Sequence, residues 1–183
     1  MSAVSLDQPH PPRPYPKELE SRQRLPDGTE IELRPIRSDD EPLLHELAAH
    51  MTPEDLRLRF FTPIHDLPQS LAARLTRLDY GREMALVALH QGVVLGVARY
   101  AAEPNTPEAE YAIAVRSDWK ARGLGYLLMT RLIEAARRYG VARLSGLVLR
   151  ENRPMLAMCR ELGFAVVPHP TDRGVVRVSK PLV

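Results

Sequence analysis

The amino-acid sequence predicts an α/β fold, one mixed and mostly antiparallel sheet flanked by helices. Three observations predict it. Residues 84–89 and 93–100 are apolar runs joined through Gly92, the signature of an antiparallel hairpin. Later in the chain, residues 110–115, a glycine-containing loop, an amphipathic stretch and residues 144–149 read as strand, helix, strand, a crossover that makes the sheet mixed. Hydrophobic residues make up 44% of the 183 residues and charged residues 26%, which supplies one packed core.

The elements follow in order. Residues 1–28 are expected to be a disordered tail, because Pro9, Pro11, Pro12, Pro14 and Pro16 interrupt any helix and few apolar side chains offset the entropy of ordering. A single domain is expected over 29–183. The turn Pro26-Asp27-Gly28 leads into residues 31–36, whose apolar–polar alternation is that of a half-buried strand. Ser38-Asp39-Asp40-Glu41 offers a cap and first-turn acids to a helix carrying Leu43, Leu44, Leu47 and Ala48. Thr52-Pro53-Glu54-Asp55 starts a second helix, with proline at its tolerated first position. A third spans about 68–78, with Leu71, Leu75 and Leu78 on one face. After the hairpin and the strand 110–115, a helix over about 126–139 presents Leu127, Leu128, Leu132, Ala135 and Ala136 and stops at Gly140. A strand over 144–149, a short helix over 154–162 stopped by Gly163, and strands over 164–167 and 175–178 close the chain.

Composition excludes several classes. Lys plus Arg is 25 and Asp plus Glu is 23, so the formal charge of +2 gives no footprint for a nucleic acid partner. The single cysteine, Cys159, cannot form an intrachain disulfide and fits a reducing compartment. No apolar run approaches the roughly 20 residues that cross a bilayer, and no secretory leader is read at the N-terminus, so no membrane association and a cytoplasmic location are expected. The histidines show no metal-ligand spacing (His45 and His50 are not i, i+4), and no metal is expected.

The stretch from Val115 to Tyr126 carries the chemistry. A strand ends, Gly123 and Gly125 remove side chains, and a helix begins whose first amides lack intrahelical partners and carry the positive end of the helix dipole. A diphosphate would meet several donors there, with Lys120 and Arg122 adding mobile charge. The loop lacks the Lys-Ser or Lys-Thr ending of the mononucleotide loop, and Leu128 stands where the dinucleotide fingerprint has its third glycine. By itself the loop reads equally as an ordinary turn with capping glycines. Trp119 could stack on an adenine or pack the loop. Arg59-Phe60-Phe61 reads as core with a rim arginine, or as part of an acceptor cleft.

Lys120-x-x-Gly123-x-Gly125 resembles the acyl-CoA loop of the GCN5-related N-acetyltransferase (GNAT) superfamily, and Asn152 with Leu162-Gly163-Phe164 fits the same order and spacing. More narrowly, Arg59-Phe60-Phe61, Asp79-Tyr80, Arg82-Glu83-Met84-Ala85, Glu110-Tyr111-Ala112, Val115-Arg116 and Asn152-Arg153-Pro154-Met155 resemble the acetyltransferase domain of bacterial Pat-type protein lysine acetyltransferases. The resemblance implies a sheet splayed open between 110–115 and 144–149, holding the pantetheine of acetyl-CoA along the backbone of Ile113 and Val115. It implies the diphosphate on Lys120 and the amides of Arg122, Gly123, Leu124, Gly125 and Tyr126, with Asn152 contacting the pantetheine. Lys120 departs from the superfamily's usual Gln or Arg and loses the guanidinium fork. The larger relatives often carry a fused regulatory domain, which is not expected here.

Acetyl transfer needs a neutral amine, and deprotonating a free lysine at neutral pH costs roughly 4–5 kcal/mol. By spacing alone Glu110 is a solvated strand-edge carboxylate; the resemblance makes it the general base, with Glu108 in reserve. The superfamily's tyrosine beside the leaving thiolate is replaced by Cys159, expected to be a small buried apolar residue. The implied activity is acetyl transfer from acetyl-CoA to a protein lysine, acyl-CoA synthetases being the implied partners. Transfer to a small amine, or an acyl-CoA sensor without turnover, are the alternatives.

Overall fold

The strand periodicities resolve into one sheet. The computed structural model describes residues 11–183. Among these, the strands are β1 (Ser21–Arg24), β2 (Glu30–Pro35), β3 (Glu83–His90), β4 (Val93–Ala102), β5 (Glu108–Val115), β6 (Arg143–Leu149), β7 (Ala165–Pro168) and β8 (Val175–Pro181). The helices are α1 (Glu41–Ala49), α2 (Pro53–Phe60), α3 (Gln69–Thr76), α4 (Leu124–Arg138) and α5 (Arg153–Glu161). The strands lie in the order β1-β2-β3-β4-β5-β6-β8-β7, and every neighbouring pair is antiparallel except β5 with β6.

The continuous apolar run of β3 has a direct cause: both faces of the sheet are covered. Met84 and Ala88 face one core with Leu128, Leu132 and Ala136 of α4, while Ala85, Val87 and Leu89 face a second core with Leu44 and Leu47 of α1 and Ala72 of α3. At the β3–β4 hairpin, Gln91 (φ 50°) and Gly92 (φ 79°) both take positive φ, the geometry a tight two-residue connection demands.

The parallel pair β5–β6 is short. Glu108, Ala109 and Glu110 pair with Arg143, Leu144 and Ser145, and then the strands part. β6 continues against β8 alone as far as Leu149. The ring of Tyr111, the next residue of β5, fills the space over Gly146 of β6, where an added Cβ would come within 2.5 Å of the ring. The splay expected between these strands is therefore present, and glycine at 146 is what lets the tyrosine ring occupy the fork.

The tail expected over 1–28 is corrected over part of its length; residues 1–10 lie outside the described residues. Lys17–Leu19 form a 3-10 turn and Ser21–Arg24 form an edge strand against β2. Arg13 donates its amide to Asp79 (2.8 Å) and lays its guanidinium over Tyr139 (4.8 Å), and the Tyr15 ring meets Tyr80 edge-on. Proline forbids a helix here but is compatible with an extended edge.

One buried ion pair ties β2 to the start of α1. Arg34 donates to Asp40 at 2.7 and 2.9 Å, and the Arg37 amide donates to the same carboxylate at 2.7 Å. Burial alone would raise the Asp40 pKa, but these donors outweigh it and hold the carboxyl below its usual value. A folded-state value below the unfolded one contributes stability that is complete above about pH 4 and is lost as pH falls through the folded value. Asp40→Asn is expected to cost about 3–5 kcal/mol, because it strands the Arg34 charge. Urea melts across pH would show this, the variant losing stability less steeply than the wild type below about pH 4.

Candidate active site

The fork between β5 and β6 opens into a cleft of about 630 Å³. Its floor is the β5 edge from Glu110 to Val115; one wall is α2, with Asp55 and Arg59, and the other is α5, with Asn152, Met155 and Met158. At its far end lies the loop before α4, including Lys120, Gly123, Gly125 and Tyr126.

Backbone alternation sets which groups of β5 face the cleft. The Arg116 amide donates to the Leu95 carbonyl of β4 at 2.8 Å. Peptide groups alternate sides along a strand, so those of Ile113 and Val115 face away from β4, toward the gap that β6 has left. Gly123 is the N-cap of α4 at φ 89°, a backbone state costly to any side chain, and Pro26 packs 3.0 Å from where its Cβ would stand. Leu124, Gly125 and Tyr126 open the helix, two residues earlier than its apolar stripe alone suggests, and their amides have no acceptor among the described residues.

The two cations of the loop are each paired with a carboxylate. Lys120 Nζ sits 2.6 Å from Asp55 Oδ1, and the Ser117 hydroxyl donates to Asp55 Oδ2 at 2.5 Å. Burial raises the Asp55 pKa, and these two donors more than reverse it, leaving the carboxyl below its ordinary value. Arg122 pairs with Asp27 at 2.8 Å and stacks over Trp119, 3.8 Å from the ring centroid. Arg122 does not line the cleft, and Leu124 is buried, so each could offer an anion there only its backbone amide. Trp119 lines the cleft with one face under Arg122 and the His90 ring 5.7 Å away.

Glu110 carries an exposed carboxylate into the cleft and forms no ion pair among the described residues. Glu108, the reserve base, is paired with Arg143 at 3.3 Å and does not line the cleft, so it leaves the candidate set. The Asn152 side-chain oxygen caps α5 by accepting from the Met155 amide at 3.3 Å, leaving its NH2 group as the donor available to a ligand.

Cys159 is fully buried, with its sulfur 3.2 Å from the Tyr111 hydroxyl. Burial pushes the thiol above its ordinary pKa, the opposite of what a nucleophile or acid needs at neutral pH. Cys159→Ala is therefore expected to keep most of the turnover, measured as thiol release from acetyl-CoA; a loss of several orders of magnitude would assign the sulfur a chemical role.

The contacts of some cleft residues gave no local signal in the sequence. Asp55 is a first-turn helix acid like any other, and only the tertiary fold brings it to Lys120, 65 positions away. Tyr111 reads as an apolar strand residue. Arg59 was separable only into rim or cleft, and the structure puts it in the cleft. Among the described residues, no group of three or more His, Cys, Asp or Glu is placed to hold a metal, and no helix is long and apolar enough to cross a membrane.

Comparison with known proteins matches this geometry. The model of the acetyltransferase (GNAT) family matches residues 49–164. An acetyltransferase of Pseudomonas aeruginosa is 32% identical over 154 residues, covering 82% of this chain and 83% of its own. The acetyltransferase Pat of Mycolicibacterium smegmatis is 31% identical over 147 residues, 79% of this chain but 43% of that longer protein. The crystal structure of the GNAT domain of S. lividans PAT superposes with a TM-score of 0.86 at 27% identity, covering 92% of this chain and 99% of that domain. With a splayed sheet, a free β5 edge and a helix N-terminus in the places the resemblance implies, the chain belongs to the GNAT family of acetyltransferases and is an acyltransferase.

Proposed function

We propose that the sheet from β1 to β8 and its helices form one N-acetyltransferase domain that moves an acetyl group from acetyl-CoA to a lysine side chain of a protein. The observation that carries this reading is a single cleft joining three things: an unpaired strand edge, a row of amides without acceptors, and a carboxylate without a cation.

Pantetheine is a chain of amides, and the edge groups of Ile113 and Val115 offer it the hydrogen bonds of an added strand. The Asn152 NH2 group reaches the same arm from the opposite wall. The diphosphate lies on the amides from Arg122 to Tyr126, where the α4 dipole favours negative charge. The acceptor amine attacks the thioester carbonyl; a C–N bond forms, and the oxyanion is met by a cleft-facing backbone N–H of β5, that of Val115. Glu110 takes the amine proton, directly or through a water. The C–S bond then breaks, and the thiolate is protonated through water or by the proton held on Glu110.

The Pat relatives support a protein acceptor, and acyl-CoA synthetases are the first acceptors to try. The test is incubation with labelled acetyl-CoA and lysate proteins, followed by mapping of labelled sites. Label on lysine side chains is expected. Label confined to small amines would replace the protein acceptor with a small-molecule one.

A further inference from the structure

Arg59 is the cleft's unanswered cation. Of the basic side chains lining the cleft, Lys120 is paired with Asp55, whereas Arg59 has no ion pair or hydrogen bond to any described residue. Its guanidinium carbon lies 4.5 Å from the Phe60 ring centroid, a cation–π contact that uses none of its N–H donors. Burial, with the charge of Arg99 adding to it and that of Glu110 opposing, lowers its pKa to about 10, so it stays protonated at neutral pH. Arg99 rises from β4 opposite Ala112, 9% exposed, and its own contacts are slight: the Leu75 carbonyl at 3.2 Å and a Glu83 oxygen at 3.9 Å. Of the carboxylates lining the cleft, Asp55 is taken by Lys120 and Ser117, and neither Glu110 nor Glu161 forms an ion pair with Arg59 although they line the same cavity.

We propose that Arg59 binds a carboxylate that the acceptor carries beside the amine to be acetylated. The inference rests on the acetyl-transfer reading and narrows its acceptor. A half-buried guanidinium with no anion beside it has its donors open to a ligand, and a carboxylate matches its planar fork with two parallel hydrogen bonds. Polyamines and aminoglycosides bring no carboxylate to Arg59, so they are disfavoured. The amine of a zwitterionic acceptor is placed near Glu110 while its carboxylate is held on Arg59. Two sources supply that chemistry: an Asp or Glu flanking the target lysine in a protein, or the carboxylate of a free amino acid.

The test measures thiol release from acetyl-CoA with matched acceptors. Blocked peptides with one lysine flanked by Glu are compared with the same peptides carrying Gln, and free amino acids with their carboxamides; spermidine is the polycation. In at least one arm the carboxylate acceptor is expected to exceed its amide match in kcat/KM by roughly 10-fold or more. Arg59→Gln erases that preference by raising KM with little change in kcat, Arg59→Lys restores part of it, and both bind acetyl-CoA as the wild type does in calorimetry. Which arm responds identifies the source. Equal rates with carboxylate and amide acceptors overturn the inference while leaving acetyl transfer standing. So does a variant whose pH–rate profile moves while KM does not, because Arg59 would then act through Glu110. Transfer to no acceptor overturns both readings.

Discussion

Glu110→Gln binds acetyl-CoA with unchanged affinity and loses roughly 100- to 10,000-fold in kcat at neutral pH, the range a positioned general base supplies. The carboxylate stands on β5 where the strand is still paired with Ser145, so its position is set by the sheet. It lines the cleft, and no cation among the described residues neutralises it. Glutamine keeps the shape and removes only the capacity to take a proton. The deficit is expected to shrink as pH rises toward the lysine pKa of about 10.4, because the neutral amine then forms without help. That recovery separates loss of a base from loss of structure. A variant that keeps its turnover near neutral pH would remove Glu110 from the mechanism.

Gly146→Val is expected to lower stability by about 1–3 kcal/mol or more and to abolish tight acetyl-CoA binding. A Cβ at this position would stand 2.5 Å from Tyr111 Cε1 and 2.9 Å from Cδ1, closer than real contacts allow. The Tyr111 ring cannot retreat easily, because Phe164 packs against it at 5.7 Å and its hydroxyl is engaged with Cys159. Either the ring is driven toward the cleft or β6 shifts from β5, and both deform the slot between them. Thermal melts and calorimetric titration with coenzyme A read the two effects. Gly92→Ala serves as the comparison, since its Cβ would meet nothing within 4 Å and the turn lies outside the cleft, so its cost comes from the positive φ alone.

The parts of this molecule that were legible in the sequence are those whose side chains repeat with a local period. The β3–β4 hairpin announces itself through two apolar runs around Gly92, and α4 through its leucines and the stop at Gly140. The loop glycines marked the start of α4 for a local reason too, since Gly123 occupies a backbone state that most residues avoid. The order of residues 11–24 has no local signal, because prolines argue only against helix, whereas β1 depends on a partner, β2, and on the aromatic contacts of Tyr15 with Tyr80. The charges of the loop were visible, but their commitments were not. Lys120 and Arg122 looked like free cations until the fold brought Asp55 and Asp27 to them. The same blindness applied in reverse to Arg59, whose importance lies in a partner it does not have. Pairing across long sequence separations leaves no periodicity to read.

A crystal structure of the chain soaked with coenzyme A shows whether the free edge of β5 and the first amides of α4 hold one acyl-CoA molecule between them. Pantetheine amides are expected to pair with the backbone of Ile113 and Val115, with the diphosphate within hydrogen-bond distance of the Leu124, Gly125 and Tyr126 amides. Coenzyme A bound elsewhere on the surface, or a cleft that stays empty at saturating concentration, would contradict it.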